Sequence, residues 1–154
     1  MERVSKRNYY LDIAQTVLER ATCLRRVYGA IIVKNDEIIS TGYNGAPRGR
    51  KNCLGYCTRE QLKVPRGERY ELCRSVHAEA NAIISAQRRD MVGATIYLVG
   101  RDARSGELLH DATSCPMCRR MIINAGIDEV VIRRTEEEFD IVPVQKWIDE
   151  DDSL

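Results

Sequence analysis

The sequence has 154 residues, of which 44% are hydrophobic and 31% charged, a composition typical of one ordinary globular domain. Its formal net charge of +1 gives no support for a nucleic-acid-binding protein, and its apolar runs are too short for a membrane-spanning helix. The first residues are polar and lack the apolar stretch of a secretion signal. We therefore expect a single domain over residues 1–154 and a cytoplasmic location.

The first half of the chain predicts a helix, a hairpin and a long loop. Residues 8–22 carry apolar side chains at helical spacing, with Asn8 as the expected N-cap. Two β-branched runs follow at residues 28–33 and 37–42, and the Asn-Asp pair between them is typical of a hairpin turn. Residues 43–71 are rich in Gly, Pro, Arg and Cys. A loop of that length is unusual in a compact domain unless it is functional or cross-linked.

The second half of the chain predicts helices alternating with strands. In chain order we expect a helix, a strand, a helix, a strand and a short helix, at residues 78–89, 95–99, 115–125, 129–132 and 143–149. Gly126 follows the second of these helices, at the position where glycine commonly ends a helix. This order predicts an α/β fold, a three-layer α/β/α sandwich with a mixed central sheet.

Two short motifs carry groups suited to chemistry, and each lies at the predicted start of a helix. One contains His77 and Glu79, and the other contains Cys115 and Cys118. The positive end of a helix dipole favours thiolate over thiol. Three protein ligands leave the fourth position of tetrahedral zinc open, as in catalytic zinc sites. We therefore predict that His77, Cys115 and Cys118 bind a catalytic zinc and that Glu79 transfers protons.

Each motif taken alone has another explanation. A Cys-x-x-Cys pair also occurs in redox proteins and as half of a structural zinc site, and one histidine at a helix start is commonly coincidental. A non-catalytic zinc module would leave Glu79 without a role, and no fourth ligand is evident nearby. The two motifs in this order are the signature of zinc-dependent nucleobase deaminases. The combination therefore indicates a hydrolase that acts on a ring C–N bond.

The chain resembles the cytidine and deoxycytidylate deaminase superfamily, and its deoxycytidylate (dCMP) branch above all, from about Tyr28 to Ile132. The segments that carry the resemblance are Gly29–Val33, Gly42–Gly49, His77–Ile83 and Cys115–Cys118 leading into Ile122–Ile127. The resemblance implies hydrolysis of dCMP to dUMP and ammonia, which supplies dUMP for thymidylate synthesis. The alternative is another cytosine nucleotide or nucleoside, or a base in nucleic acid. Stacking aromatics are expected for single-stranded substrates, and the chain has one Phe and one Trp beside seven Tyr, so a nucleotide is favoured.

The resemblance also implies which residues surround the substrate. Asn44 would contact the deoxyribose hydroxyl, with a simple turn residue as the alternative, and the backbone at Ala78 and Cys115 would contact the base edge. Ser114 stands where the family usually has proline, so the wall beside the base is expected to differ. Residues 100–113 form a longer connection than usual, with charges that could reach the substrate or a neighbouring subunit.

Family members are commonly homo-oligomers, and several are activated by dCTP and inhibited by dTTP. A corresponding effector site would use residues of the glycine-rich segment and nearby arginines. The candidates are Arg25, Arg26, Asn44, Gly45 and Arg48.

Four further cysteines form a second group, in and around the long loop. Since cytosolic thiols stay reduced, six cysteines indicate metal binding or catalysis rather than disulfides. Cys23, Cys53, Cys57 and Cys73 could together bind a structural zinc that holds the loop. Buried free thiols packed as small apolar groups are the alternative.

Overall fold

The computed structural model describes residues 1–150, so the last four residues of the predicted domain over 1–154 lie outside the described part. Five strands and six α-helices occur in this part. In chain order they are α1 Lys6–Val17, β1 Arg26–Lys34, β2 Glu37–Tyr43, α2 Thr58–Gln61, α3 Ala78–Ile84, α4 Arg88–Met91, β3 Thr95–Asp102, α5 Pro116–Ala125, β4 Glu129–Arg133, β5 Phe139–Pro143 and α6 Val144–Asp149. Among these helices, none is long and apolar enough to cross a membrane.

The strands form one mixed sheet in the order β2-β1-β3-β4-β5. The pair β3–β4 is parallel and the other three pairs are antiparallel. Helix α1 packs on one face of the sheet, and α3 and α5 pack on the other. The predicted three-layer α/β/α sandwich with a mixed sheet is therefore confirmed.

Strand β1 shows why helices must cover both faces of this sheet. Its residues alternate between two apolar clusters: Ala30 and Ile32 face α3 and α5, while Ile31 and Val33 face α1. All four are buried. A strand that is apolar on both sides is typical of a sheet covered by helices on both faces.

The predicted hairpin is confirmed, and its turn explains the choice of residues. Asn35 and Asp36 both have positive φ, at 52° and 64°. Asn and Asp tolerate this left-handed region better than other residues with a side chain, and two such residues match the twist of the flanking strands.

Two predicted helix boundaries are wrong. Helix α1 begins at Lys6, because the Ser5 side chain accepts a hydrogen bond from the Asn8 backbone N–H and caps the helix. Asn8 is therefore inside the helix and is not its cap. The helix expected over residues 78–89 is two helices, since the chain turns after Ile84 and α4 then places the Met91 side chain in the core.

Strand β5 was not predicted. Its sequence contains Asp140 and ends in Pro143, and it pairs antiparallel with β4 at the edge of the sheet. Proline is tolerated at a sheet edge because one side of the strand needs no ladder hydrogen bond. The helix expected over residues 143–149 is present as α6, with Pro143 at its N-cap position.

Candidate active site

Three potential metal ligands come together at the starts of two neighbouring helices. His77 occupies the N-cap position of α3, and Cys115 occupies the N-cap position of α5. The His77 Nδ1 atom lies 3.4 Å from the Cys115 Sγ and 3.4 Å from the Cys118 Sγ. The three ligand atoms all lie within 4.8 Å of one another. The fold thus brings His77 next to two cysteines that are 38 and 41 positions away from it in the sequence.

This donor set fits zinc. Zinc bonds of about 2.3 Å to sulfur and about 2.0 Å to nitrogen, at a tetrahedral angle, place the two atoms about 3.5 Å apart. The two observed distances of 3.4 Å are close to that value. Two thiol groups and one imidazole are also the soft and borderline ligands that zinc prefers. Three protein ligands leave one tetrahedral position for a water molecule or a substrate.

The electrostatics of the triad favour a thiolate at Cys115. Its pKa is lowered to about 4, chiefly by the hydrogen bond with the Cys118 thiol, with further contributions from His77 and from the Cys118 backbone N–H. The same thiol–thiol hydrogen bond raises the pKa of Cys118. The pKa of His77 is raised, mainly by its hydrogen bond with Cys115. A cation at this point would replace the shared protons and stabilise both thiolates.

Glu79 lies beside the triad and is almost fully buried, with 4% of its surface exposed. Burial raises the pKa of its carboxyl group, so the protonated form is accessible more readily than in water. Ser114 is its neighbour and slightly favours the carboxylate. The Ser114 hydroxyl is itself buried and has no well-formed hydrogen-bond partner within the described residues. A buried hydroxyl without a partner is an interaction site for a bound molecule.

The triad opens into a cavity of about 310 Å³. Tyr28, Asn44 and Ala78 line one part of it, and Thr113, Ser114 and Pro116 another. The lining also includes five arginines, namely Arg25, Arg26, Arg59, Arg66 and Arg119. A cavity of this size matches a small molecule, and its arginines match a negatively charged one.

Asn44 lies in the cavity wall, and its amide group holds strand β1. The Tyr28 backbone N–H donates to Asn44 Oδ1 at 2.8 Å, and Asn44 Nδ2 donates to the Arg26 carbonyl at 2.9 Å. These bonds use one acceptor site and one donor hydrogen of the amide. The second donor hydrogen and the second lone pair are left for another group. Asn44 thus has a structural role in addition to its place in the cavity.

The effector candidates do not form a separate group. Arg25, Arg26 and Asn44 line the same cavity as the metal triad. Gly45 forms two backbone hydrogen bonds with Val76, at 3.2 and 2.7 Å. Arg48 is exposed on the loop beyond them.

Ion pairs hold the long loop over the cavity, and residues 100–113 contribute to some of these pairs. Glu60 in α2 pairs with Arg25 at 3.0 Å and with Arg104 at 2.9 Å. Arg66 pairs with Asp111 at 2.6 Å. Residues 100–113 therefore contact the loop that covers the cavity, through Arg104 and Asp111.

Sequence reasoning missed Arg59 and Tyr70, although both line the cavity. The ring of Tyr70 meets the His77 ring edge-on, with 5.1 Å between the ring centroids. The Arg59 guanidinium lies over the same Tyr70 ring, 4.6 Å from the ring centroid. Both residues lie in the aperiodic loop, where no sequence pattern marks a buried position.

The second cysteine group is only partly assembled. The pKa of the Cys53 thiol is raised mainly by burial and further by the neighbouring thiol groups of Cys23, Cys73 and Cys57. In the part of the chain that the structure describes, no three of these sulfur atoms come within 4.8 Å of one another. All four are free thiols.

Comparison with known proteins agrees with this geometry. The model of the "Cytidine and deoxycytidylate deaminase zinc-binding region" matches residues 4–134. A deoxycytidylate deaminase of Mycobacterium phage D29 is 35% identical over 135 residues, which cover 85% of this chain and 96% of the phage protein. A deoxycytidylate deaminase of Saccharomyces cerevisiae is 35% identical over 147 residues, which cover 91% of this chain but 42% of the yeast protein.

A solved structure extends the comparison to three dimensions. The dCMP deaminase of cyanophage S-TIM5, in complex with dCMP and dUMP, superposes with a TM-score of 0.60 at 26% sequence identity. The match covers 86% of this chain and 84% of the cyanophage chain.

Proposed function

Since the chain belongs to the cytidine and deoxycytidylate deaminase family, we propose that it hydrolyses dCMP to dUMP and ammonia and so supplies dUMP for thymidylate synthesis. The observation that carries the proposal is the His77, Cys115 and Cys118 triad beside the buried Glu79 carboxyl group, in an arginine-lined cavity. The relatives named deoxycytidylate deaminases, and the cyanophage enzyme with bound dCMP and dUMP, favour this nucleotide among cytosine compounds.

The zinc that His77, Cys115 and Cys118 would hold supplies, when bound, an activated water molecule near neutral pH. Glu79 then has two tasks as a general base and acid. Its carboxylate takes a proton from the attacking water while the oxygen bonds to C4 of the pyrimidine. The carboxylic acid gives that proton to the ring nitrogen N3. The carboxylate then takes the remaining proton from the new C4 hydroxyl and passes it to the amino group, so that the C4–N bond breaks, ammonia leaves and C4 becomes a carbonyl carbon. Burial raises the pKa of the Glu79 carboxyl group, so the protonated form that the second task needs is more accessible than in water.

Three further residues are proposed substrate contacts. Asn44 keeps one amide hydrogen and one lone pair beyond its bonds to β1, and these can reach a sugar hydroxyl. Ala78 offers its backbone at the first position of α3, next to the triad. The buried Ser114 hydroxyl lies next to Glu79 in the same wall of the cavity.

A structural zinc bound by Cys23, Cys53, Cys57 and Cys73 is the second part of the proposal. The other three thiols lie close enough to Cys53 to act on its ionisation, and all three also line the cavity. Zinc binding would require these sulfur atoms to come closer together, because no three of them lie within 4.8 Å of one another among the described residues. Bound metal would then join the chain before β1, the loop and the segment before His77.

Regulation, assembly and location complete the proposal. We propose that dCTP and dTTP act as effectors near the segment that contains Gly45 and Arg48, that the enzyme is a homo-oligomer, and that it works in the cytoplasm. The family resemblance supports the effectors and the homo-oligomer. The six free thiols support the cytoplasmic location, because they suit a reducing compartment.

Ammonia release from purified protein tests the proposed activity. The substrates are dCMP, CMP, dCTP, deoxycytidine, cytidine and cytosine, each with and without dCTP or dTTP as effector. Selective release from dCMP is expected, together with a change of rate when dTTP is added. Release from none of the six, in protein that contains zinc, would refute the proposed activity.

A further inference from the structure

The two ring nitrogens of His77 have different surroundings. Nδ1 lies 3.4 Å from the sulfur atoms of both Cys115 and Cys118, and the hydrogen bonds that the ring forms within residues 1–150 all involve this nitrogen. A histidine that binds zinc almost always donates its other ring N–H to a carboxylate, a carbonyl or a water molecule, which fixes the plane of the ring. Among the protein groups described, packing contacts are therefore left to hold the His77 ring.

Tyr70 makes such a contact. Its ring is perpendicular to the His77 ring, with 5.1 Å between the two centroids. Perpendicular rings at centroid separations of about 4.5–7 Å have a favoured aromatic geometry. A neighbour placed in this way restricts rotation of the imidazole about its Cβ–Cγ bond, and this rotation decides whether Nδ1 points to the two sulfur atoms.

Tyr70 is itself held by Arg59. The Arg59 guanidinium lies over the Tyr70 ring, 4.6 Å from its centroid, and only 7% of the Arg59 surface is exposed. A cation over an aromatic face is attracted more strongly when water is excluded. Its Nη2 donates to the carbonyls of Pro65 at 3.1 Å and Glu68 at 2.8 Å. The cation, the phenol ring and the loop backbone thus form one packed unit beside the metal ligand.

The backbone before Tyr70 is strained. Arg69 has φ 52° and ψ 47°, in the left-handed region, and the chain then makes a single turn over Tyr70–Leu72. The Cys73 backbone N–H closes this turn on the Tyr70 carbonyl at 2.9 Å. A large residue with positive φ persists only where its surroundings require it, and such residues cluster at functional sites.

Packing in the hydrophobic core does not account for the position of Tyr70. Its side chain is only partly buried, and it belongs to neither of the two apolar clusters that the described residues form. The ring contacts recorded for it are those with His77 and Arg59.

We propose that Tyr70 is a positioning residue for the metal ligand. Its ring, held by Arg59, keeps the His77 imidazole in the orientation that directs Nδ1 to the metal, and so does the work that a hydrogen bond to the second ring nitrogen does in other zinc sites. This inference rests on the proposed zinc ligands, and it holds whichever cytosine compound is the substrate.

Imidazole NMR tests the proposal, because the chain has two histidines, His77 and His110. The second proposed zinc site contains cysteines alone, so the His77 signals report the catalytic metal. Zinc is titrated against a competing chelator in protein with isotope-labelled histidine. Tyr70→Leu should bind zinc about 10- to 100-fold more weakly than the wild type, as expected for loss of a group that orients a ligand, and the His77 signals of its zinc-loaded form should broaden or split. Tyr70→Phe keeps the ring and should stay within about three-fold of the wild type.

Tyr9→Leu is the matched control. It removes an aromatic contact of the same length, 5.1 Å to the Tyr10 centroid, from α1 on the opposite face of the sheet. Its zinc affinity should equal that of the wild type, and the His110 signals should be unchanged in every variant. Wild-type zinc affinity in Tyr70→Leu would overturn the proposal, as would equal weakening in Tyr9→Leu or in Tyr70→Phe.

The wild type separates this proposal from those on which it depends. If zinc left the wild-type His77 signals unchanged, the ligand assignment would be refuted and the role of Tyr70 with it. Ammonia release from the substrate panel judges the proposed activity independently of the zinc affinities.

Discussion

Gly42 links the central sheet to the helix that starts at the metal triad. It lies in β2, and a Cβ atom added there would come within 2.3 Å of the Ala78 carbonyl oxygen and 2.4 Å of the Ala82 backbone nitrogen. Both neighbours are backbone atoms of α3, so no side chain can rotate away. In Gly42→Ala the carbonyl must retreat from 2.3 Å to at least 3.0 Å, a movement of about 0.7 Å.

This movement should affect both stability and activity. Overpacking against a fixed backbone costs about 1–3 kcal/mol of unfolding free energy. Because Ala78 lies between His77 and Glu79, the ligand and the carboxyl group move with the start of α3. A misplacement approaching 1 Å at reacting groups lowers rates by about 100-fold, so we expect kcat/KM for dCMP to fall by about 10- to 100-fold.

The opposite face of the sheet offers a matched control. Gly29 lies in β1, where an added Cβ would come within 2.1 Å of the Ala14 carbonyl and 2.8 Å of the Leu18 nitrogen, both on the α1 side. Gly29→Ala should lose comparable stability in urea unfolding but retain kcat/KM in the fraction that stays folded. Ammonia release and bound zinc per chain are measured for both variants. If Gly42→Ala kept wild-type kcat/KM, or Gly29→Ala lost as much, the link between β2 and the site would be wrong.

Three other substitutions test individual groups. Glu79→Gln should lower kcat for dCMP by about 1,000-fold, as expected for loss of a proton-transfer group, and atomic emission should show unchanged zinc; a variant that remains active would exclude the proton-transfer role. Cys53→Ser should lower the melting temperature and reduce bound zinc by about one ion per chain, because it removes a ligand of the proposed structural site. Equal metal content in mutant and wild type would argue against that site. Asn44→Ala should cost about 2 kcal/mol in urea unfolding, since the Tyr28 N–H and the Arg26 carbonyl lose their partner. An increase in KM with no loss of stability would instead make Asn44 a substrate contact alone.

Local sequence was sufficient to predict that His77 and Cys115 lie at the starts of helices. The cysteine motif stands at a helix start because Pro116 suits the first turn of α5, and Gly126 suits the end of that helix, where φ is 80°. The hairpin turn and the strands β1, β3 and β4 were equally predictable, since continuous β-branched runs and a turn pair are signals that a few residues carry by themselves.

The start of α1 depends on the local Ser5 cap, but the other two features that sequence reasoning missed depend on contacts with distant residues. The turn after Ile84 allows Met91 to reach the core, and β5 is a strand because β4 offers it an edge to pair with. No periodicity marks either feature, because the partner that decides the conformation is far along the chain.

By itself, the sequence determined the ligand types, the carboxyl group and the layered fold, because these follow from residue identity and short-range periodicity. Only the tertiary structure decided what surrounds them. Packing of α3 beside α5 brings His77 to the two cysteines. The irregular loop, tied to residues 100–113 by ion pairs, carries Arg59 into the cavity, since an aperiodic segment is positioned by the contacts it makes and by no pattern of its own.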